Sequence, residues 1–320
     1  MERPYWHKQT ADKPLFPDLL WSRPENASFA GKLLIVGGNL YGFNNPAKAY
    51  EESKKAGIGV ARVLLPDALQ KTFSAVTRAM QADAAQEDRE KRPEPYIKYG
   101  EDASQQDAAV MRRQHRESSS SARSSSGVVH EVVWEYAPST PSGSFSQRAL
   151  GELLPMAAWA DAVLLSGDLG RNSETAILLE KLADKYSGQL TITCDAADYF
   201  INSPSILDRQ ETLWVISVAQ LQKLAMNARF TTAFTYDMDI LRFVEALHEF
   251  TLEHPGLIIV KHLENIFVAA EGQVSSTKLE AELPIWRLKT AAHAAVWRLQ
   301  NPGKPYESLT TSLISQKAAI

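Results

Sequence analysis

The chain has 320 residues, 44% hydrophobic and 22% charged, which is enough apolar material for one sizeable core. A formal net charge of −4 argues against a basic surface for nucleic acid. The single cysteine, Cys194, excludes an intramolecular disulfide, and the start is polar and proline-broken with no membrane-spanning apolar run, so a cytoplasmic protein without membrane contact is expected.

In chain order, residues 1–30 are rich in proline and aromatics and read as an arm draped over the domain that begins at residue 31. Leu33-Leu34-Ile35-Val36 is a short apolar run closed by Gly37-Gly38, as expected of a buried strand in a parallel sheet. A helix follows, with Asn45 as its predicted N-cap, Pro46 at its first position and Gly57 beyond its end. Val60 to Leu65 is a second strand, and strand, helix and strand at this spacing make a βαβ unit. Residues 83–127 mix charge runs with serine runs and hold few large apolar side chains, which predicts a disordered insertion into a single domain spanning 31–320.

The alternation resumes with a strand over 128–136, a helix over 147–159, a strand over 161–165 and a helix over 173–186. Strands at 190–194 and 213–216, a helix at 239–254 and strands at 257–260 and 266–270 come next. Two helices, 286–300 and 306–316, end the chain. This order predicts a three-layer α/β fold, a mostly parallel sheet with helices on both faces.

Ligands of open parallel sheets sit beyond the carboxyl ends of the strands. Three loops take that place: Gly37-Gly38-Asn39, Ser166 to Gly170, and Asp195 to Asp198. Glycine there allows backbone N–H groups to approach a phosphate closely. Gly37 to Gly42 lacks the spacing of the dinucleotide fingerprint, no Walker-type loop exists, and no histidine or cysteine stands at metal-ligand spacing. Lys261 directly follows the apolar run Leu257 to Val260, with Asn265 nearby, and is a candidate point charge for a nucleotide phosphate.

Several of these segments, in order, resemble the ADP/ATP-dependent NAD(P)H-hydrate dehydratases of the ribokinase-like superfamily. Gly31 to Asn39 and Ala56 to Val60 look like that family's opening strand, glycine pair and helix end. Ala160 to Arg171 is similar to its strand and glycine-proline-glycine-leucine-glycine loop, and Asp195 to Asp198 to its aspartate-alanine-aspartate loop. Lys261 stands at its nucleotide-contacting lysine, and Asn301 to Glu307 at the link between its last helices. The resemblance implies a ribokinase-like fold binding ATP or ADP, which magnesium can accompany, beside a hydrated nicotinamide dinucleotide. It points to Gly37, Gly38, Asn45, Gly170, Lys261 and Asn265 as the binding residues.

The family's reaction needs backbone N–H groups for the anion and an aspartate base, both supplied by a glycine-threonine-glycine-aspartate motif before the final link. Counting back from Pro305-Tyr306-Glu307 places that motif near Trp286-Arg287-Leu288-Lys289, which has neither glycine nor acid. Lys289 stands at the expected base position, and protonated it cannot accept a proton; Asp195 and Asp198 are the candidate substitutes. Ser217 to Gln220 stands where the family has histidine-proline-glycine-glutamate, Asn44-Asn45-Pro46 replaces small residues, and His262 replaces a glycine. The expectation is a degenerate relative that binds a nucleotide or dinucleotide without efficient catalysis. The alternatives are an active dehydratase or small-molecule kinase using substituted residues, and a structural partner in an oligomer, with a homo-oligomer left open.

Overall fold

The computed structural model describes residues 3–70, 133–278 and 286–315. The predicted insertion at 83–127 and the start of the strand predicted at 128–136 lie outside the described residues. Ten strands form one sheet: β1 (Trp6–Gln9), β2 (Lys32–Gly37), β3 (Val60–Pro66), β4 (Val133–Ala137), β5 (Ala162–Gly167), β6 (Gln189–Thr193), β7 (Thr212–Ser217), β8 (Leu257–His262), β9 (Asn265–Ala270) and β10 (Gln273–Lys278). Their spatial order is β1-β10-β9-β8-β7-β6-β5-β2-β3-β4. All neighbours from β4 to β8 are parallel, whereas β9 runs antiparallel to both β8 and β10.

The helices are α1 (Pro17–Trp21), α2 (Asn44–Lys55), α3 (Leu150–Trp159), α4 (Ser173–Lys185), α5 (Ala196–Phe200), α6 (Val218–Asn227), α7 (Ile240–Glu253), α8 (Trp286–Gln300) and α9 (Pro305–Ser315). Leu34 and Val36 of β2, Val163 and Leu165 of β5 and Trp214 and Ile216 of β7 face an apolar cluster shared with α3 to α7. The alternate strand residues face α2, α8 and α9, and α8 packs across β5, β6 and β7. A strand covered on both faces has no polar side to offer, which is why Leu33 to Val36 reads as an unbroken apolar run. The expected three-layer α/β fold is therefore the observed one.

Two local expectations are corrected. The arm does not simply lie over the domain: β1 pairs in parallel with β10 at the sheet's edge, where the buried Gln9 amide donates to Thr277 and to the Thr310 carbonyl. Asn45 is not the N-cap of its helix; Phe43 is, and α2 starts at Asn44. The strand β10 and the helices α5 and α6 were not expected. Polar Gln273-Val274-Ser275-Ser276-Thr277-Lys278 gives β10 little hydrophobic signal, yet its Ser275, Ser276 and Thr277 are buried between β9, β1 and α9. For α6 a signal exists: Ser217 and Gln220 have capping-box spacing, and both reciprocal hydrogen bonds form.

Candidate functional site

The carboxyl ends of β2, β5, β6 and β7 meet in one hydrogen-bonded network. It begins where β5 ends. Gly167 at φ 100 and Asp168 at φ 58 turn the chain sharply, aiming the Asp168 carboxylate at the first turn of α2. There Asp168 accepts from the Asn45 backbone N–H at 2.8 Å and from Asn45 Nδ2 at 2.9 Å. A carboxylate at a helix N-terminus satisfies an orphan donor and meets the positive end of the helix dipole. Asn39, on the loop after β2, donates from Nδ2 to the Asp168 carbonyl at 2.6 Å, which ties the two strand ends together.

The second acid, Asp195, follows β6. Its Oδ2 accepts from the Leu169 N–H at 3.0 Å, while Oδ1 is buried with no hydrogen-bond partner among the described residues. Burial pushes the Asp195 carboxyl above its ordinary range; the N–H groups it accepts oppose that rise and the neighbouring Asp168 charge adds to it. Cys194, just before it, sits at φ 55, and burial raises its thiol.

The third acid, Asp198, is exposed on α5 and accepts from Gln220 Nε2 at 3.1 Å. Gln220 is a hub that sequence reasoning missed. Its Nε2 also donates to the Cys194 carbonyl at 2.7 Å, and its Oε1 accepts from Arg287 at 3.0 Å. Through Gln220 the first turn of α8 is joined to the ends of β6 and β7. Arg287 was legible only as a neighbour of Lys289 in the turn that lacks glycine and acid. Lys289 is half-buried one turn before His293, and its charge lowers the proton affinity of that imidazole.

The structure thus brings Gly37, Gly38, Asn45, Gly170, Asp195 and Asp198 to one place, but the glycines serve the chain itself. A Cβ on Gly37 would lie 2.4 Å from the Gly167 carbonyl, and one on Gly170 would lie 2.8 Å from Ser144 Oγ. The Gly38 N–H donates to the Gly167 carbonyl at 3.0 Å. The space beside Gly37 and Gly170 is filled by neighbouring loops. Lys261 and Asn265 stand apart, on β8 and β9. Three strand spacings separate β8 from β5, roughly 14 Å. Val260 faces the cluster under α3 to α7, so Lys261 leaves the opposite face of the sheet, the one α8 covers. Neither the Lys261 nor the Asn265 side chain has a hydrogen-bond or ion-pair partner among the described residues. No three His, Cys, Asp or Glu gather as metal ligands among the described residues, and no helix there is long and apolar enough to cross a membrane.

A mostly parallel sheet, two helical layers and polar loops gathered at the strand carboxyl ends give an α/β fold of the ribokinase-like kind. A ribokinase-like superfamily protein from Enterococcus faecalis V583 superposes with a TM-score of 0.60 at 12% identity, covering 98% of this chain and 88% of that one. A hypothetical protein from Streptococcus mutans gives 0.55 at 11% identity, with 92% of this chain and 85% of that one covered. The ADP/ATP-dependent NAD(P)H-hydrate dehydratase of Bacillus subtilis, co-crystallised with ATP and Mg²⁺, gives 0.51 at 8% identity over 95% of this chain and 87% of its own. Neither a protein-family model nor a curated protein matches the sequence. At these identities the likeness is one of fold.

Proposed function

We propose that the chain is a degenerate relative of the NAD(P)H-hydrate dehydratases that holds an adenine nucleotide or dinucleotide at the strand ends without dehydrating hydrated NAD(P)H efficiently. The observation that carries this reading is the first turn of α8, Trp286-Arg287-Leu288-Lys289, which offers two cations and no carboxylate where a base is required. Of the acids nearby, Asp168 is spent on the first turn of α2, while Asp195 and Asp198 each hold one partner, the Leu169 N–H and the Gln220 amide. Lys261 and Asn265 suit a nucleotide phosphate better than the three glycines do. ATP or ADP is the expected ligand, and magnesium, which keeps most of its water when it rides on phosphates, would enter with it.

The test is to incubate the purified chain with hydrated NADH and ATP or ADP and follow the recovery of NADH absorbance. Loss of general-base catalysis removes a factor of about 10²–10⁴, and loss of each anion-stabilising N–H about 10²–10³. Turnover near about one per second, ordinary for an enzyme, would overturn the reading. Absence of saturable ATP and ADP binding would overturn its nucleotide half.

A second reading, an active dehydratase or small-molecule kinase using substituted residues, draws support from Asp195. A buried carboxyl with raised proton affinity and one unpartnered oxygen, at the strand ends, has the character of an acid–base group. Under that reading Asp195→Asn abolishes any measured turnover; turnover unchanged in the variant would remove Asp195 from it.

A further inference from the structure

Beside the strand-end network, on the side of α4 to α6, lies an open pocket of about 740 Å³. That volume falls in the range of small-molecule sites. Arg171 and Asn172 enter it from the loop before α4, Asp198 and Tyr199 from α5, Asn202 from the turn after it, and Lys223 from α6. Arg171 and Lys223 are exposed, and neither makes an ion pair among the described residues. Two cations from separate elements therefore face one hollow without an acid assigned to either.

Two acids also line the hollow: Asp195, which holds the Leu169 N–H through Oδ2, and the more exposed Asp198, which is held in a fixed place. Asp198 Oδ1 is pinned by Gln220, which is itself held by Arg287, and the second carboxylate oxygen has no hydrogen-bond partner among the described residues. The Tyr199 hydroxyl is spent on the Gly170 carbonyl and the Asn172 N–H, so its ring acts as a wall and not as a donor. It is the one aromatic among the lining residues described, and there is no second ring to sandwich a nucleobase. Cations suited to a phosphate and a carboxylate suited to hydroxyl donors call for a small ligand carrying both groups.

We propose that this pocket binds a phosphate monoester of a small polyhydroxylated compound, its phosphate between Arg171 and Lys223 and its hydroxyl groups donating to Asp198. The pocket shares Gly170, Asp195 and Asp198 with the strand-end site, but it uses neither Lys261 nor Asn265, the residues to which the nucleotide phosphate is assigned.

Calorimetric titration of the full chain with glucose 6-phosphate, glucose and inorganic phosphate separates the contributions. Glucose 6-phosphate binds saturably and more tightly than either of the other two. Arg171→Ala and Lys223→Ala each weaken it by about tenfold, as loss of a charge-assisted hydrogen bond does. Asp198→Asn weakens glucose 6-phosphate while leaving inorganic phosphate unaffected. No saturable binding of glucose 6-phosphate at millimolar concentration would overturn the proposal, as would binding indifferent to both cation variants. Inorganic phosphate binding as tightly as glucose 6-phosphate would overturn the assignment of hydroxyl groups to Asp198. None of the probes contains a nucleobase, so failure here leaves nucleotide binding at Lys261 as a separate question.

Discussion

Acidification should unfold this protein partly through one imidazole. His293 of α8 is 1% exposed, its Nε2 lies 3.3 Å from Glu52 Oε2 on α2, and its Nδ1 is buried with no hydrogen-bond partner among the described residues. Burial drives its pKa from 6.5 down to about 4; the Glu52 contact opposes this, and the Lys289 and Arg23 charges add to it. Burial pushes Glu52 the other way, but hydrogen bonds from Lys55, at 2.7 Å, and from His293 leave its carboxyl below the ordinary range. The two directions agree only if His293 is neutral at pH 7 and donates from Nε2, with Lys55 as the cation that holds Glu52. Between pH 6.5 and about 4 the unfolded chain binds a proton on His293 that the folded chain refuses, so stability falls as pH drops through that window and is unaffected above it. Roughly 2.5 pH units at about 1.4 kcal/mol each give a total of about 3–4 kcal/mol, most of it lost by about pH 4.5.

The assay is urea unfolding of the full chain and of His293→Gln from about pH 7.5 to about pH 4.5. Glutamine keeps an N–H for Glu52 but does not titrate. The difference in unfolding free energy between the two proteins is flat above neutrality and moves in favour of the glutamine variant by about 2–3 kcal/mol at about pH 4.5. Other groups titrate in both proteins and cancel in that difference. Parallel pH profiles would refute the reasoning and place a charged or solvated imidazole at this position.

Three further outcomes are expected. Lys261→Ala weakens ATP or ADP binding by about 1.5–3 kcal/mol in a calorimetric titration, and an unchanged dissociation constant would leave Lys261 a solvated strand-end residue. Asp168→Gly relieves a left-handed backbone but removes both bonds to Asn45, so denaturant unfolding should show a net loss of about 1–2 kcal/mol; no loss would mean that α2 does not need this cap. Gly37→Ala forces a methyl group against the Gly167 carbonyl and Ser166 Oγ and should cost about 1–3 kcal/mol, read from the same denaturation; a neutral substitution would show that the β2–β5 junction yields easily.

The layer architecture was legible before any coordinates, because a parallel strand covered on both faces must be apolar at every position, as Leu33 to Val36 and Val163 to Leu165 are. The end of α2 was legible in Gly57, which takes a left-handed φ of 84 just past the helix, whereas its start was not. The candidate site was legible only in outline. Gly37, Gly38 and Gly170 read as openings for a ligand because glycine permits close approach, but which atoms approach is decided by the fold, as where Gly167, 130 residues on in sequence, is set against Gly37.

By itself, then, the sequence determined what depends on nearest neighbours along the chain: apolar periodicity, the turns, the place of the strand-end loops and the lack of an acid at Lys289. Tertiary structure alone decided the rest. It added Trp6–Gln9 to the far edge of the sheet, set Asp168 over the first turn of α2, and made Gln220 the joint between Cys194, Asp198 and Arg287. The physical reason is that a buried polar group must find its partner wherever the fold presents one, and a partner distant in sequence leaves no periodic trace in the chain.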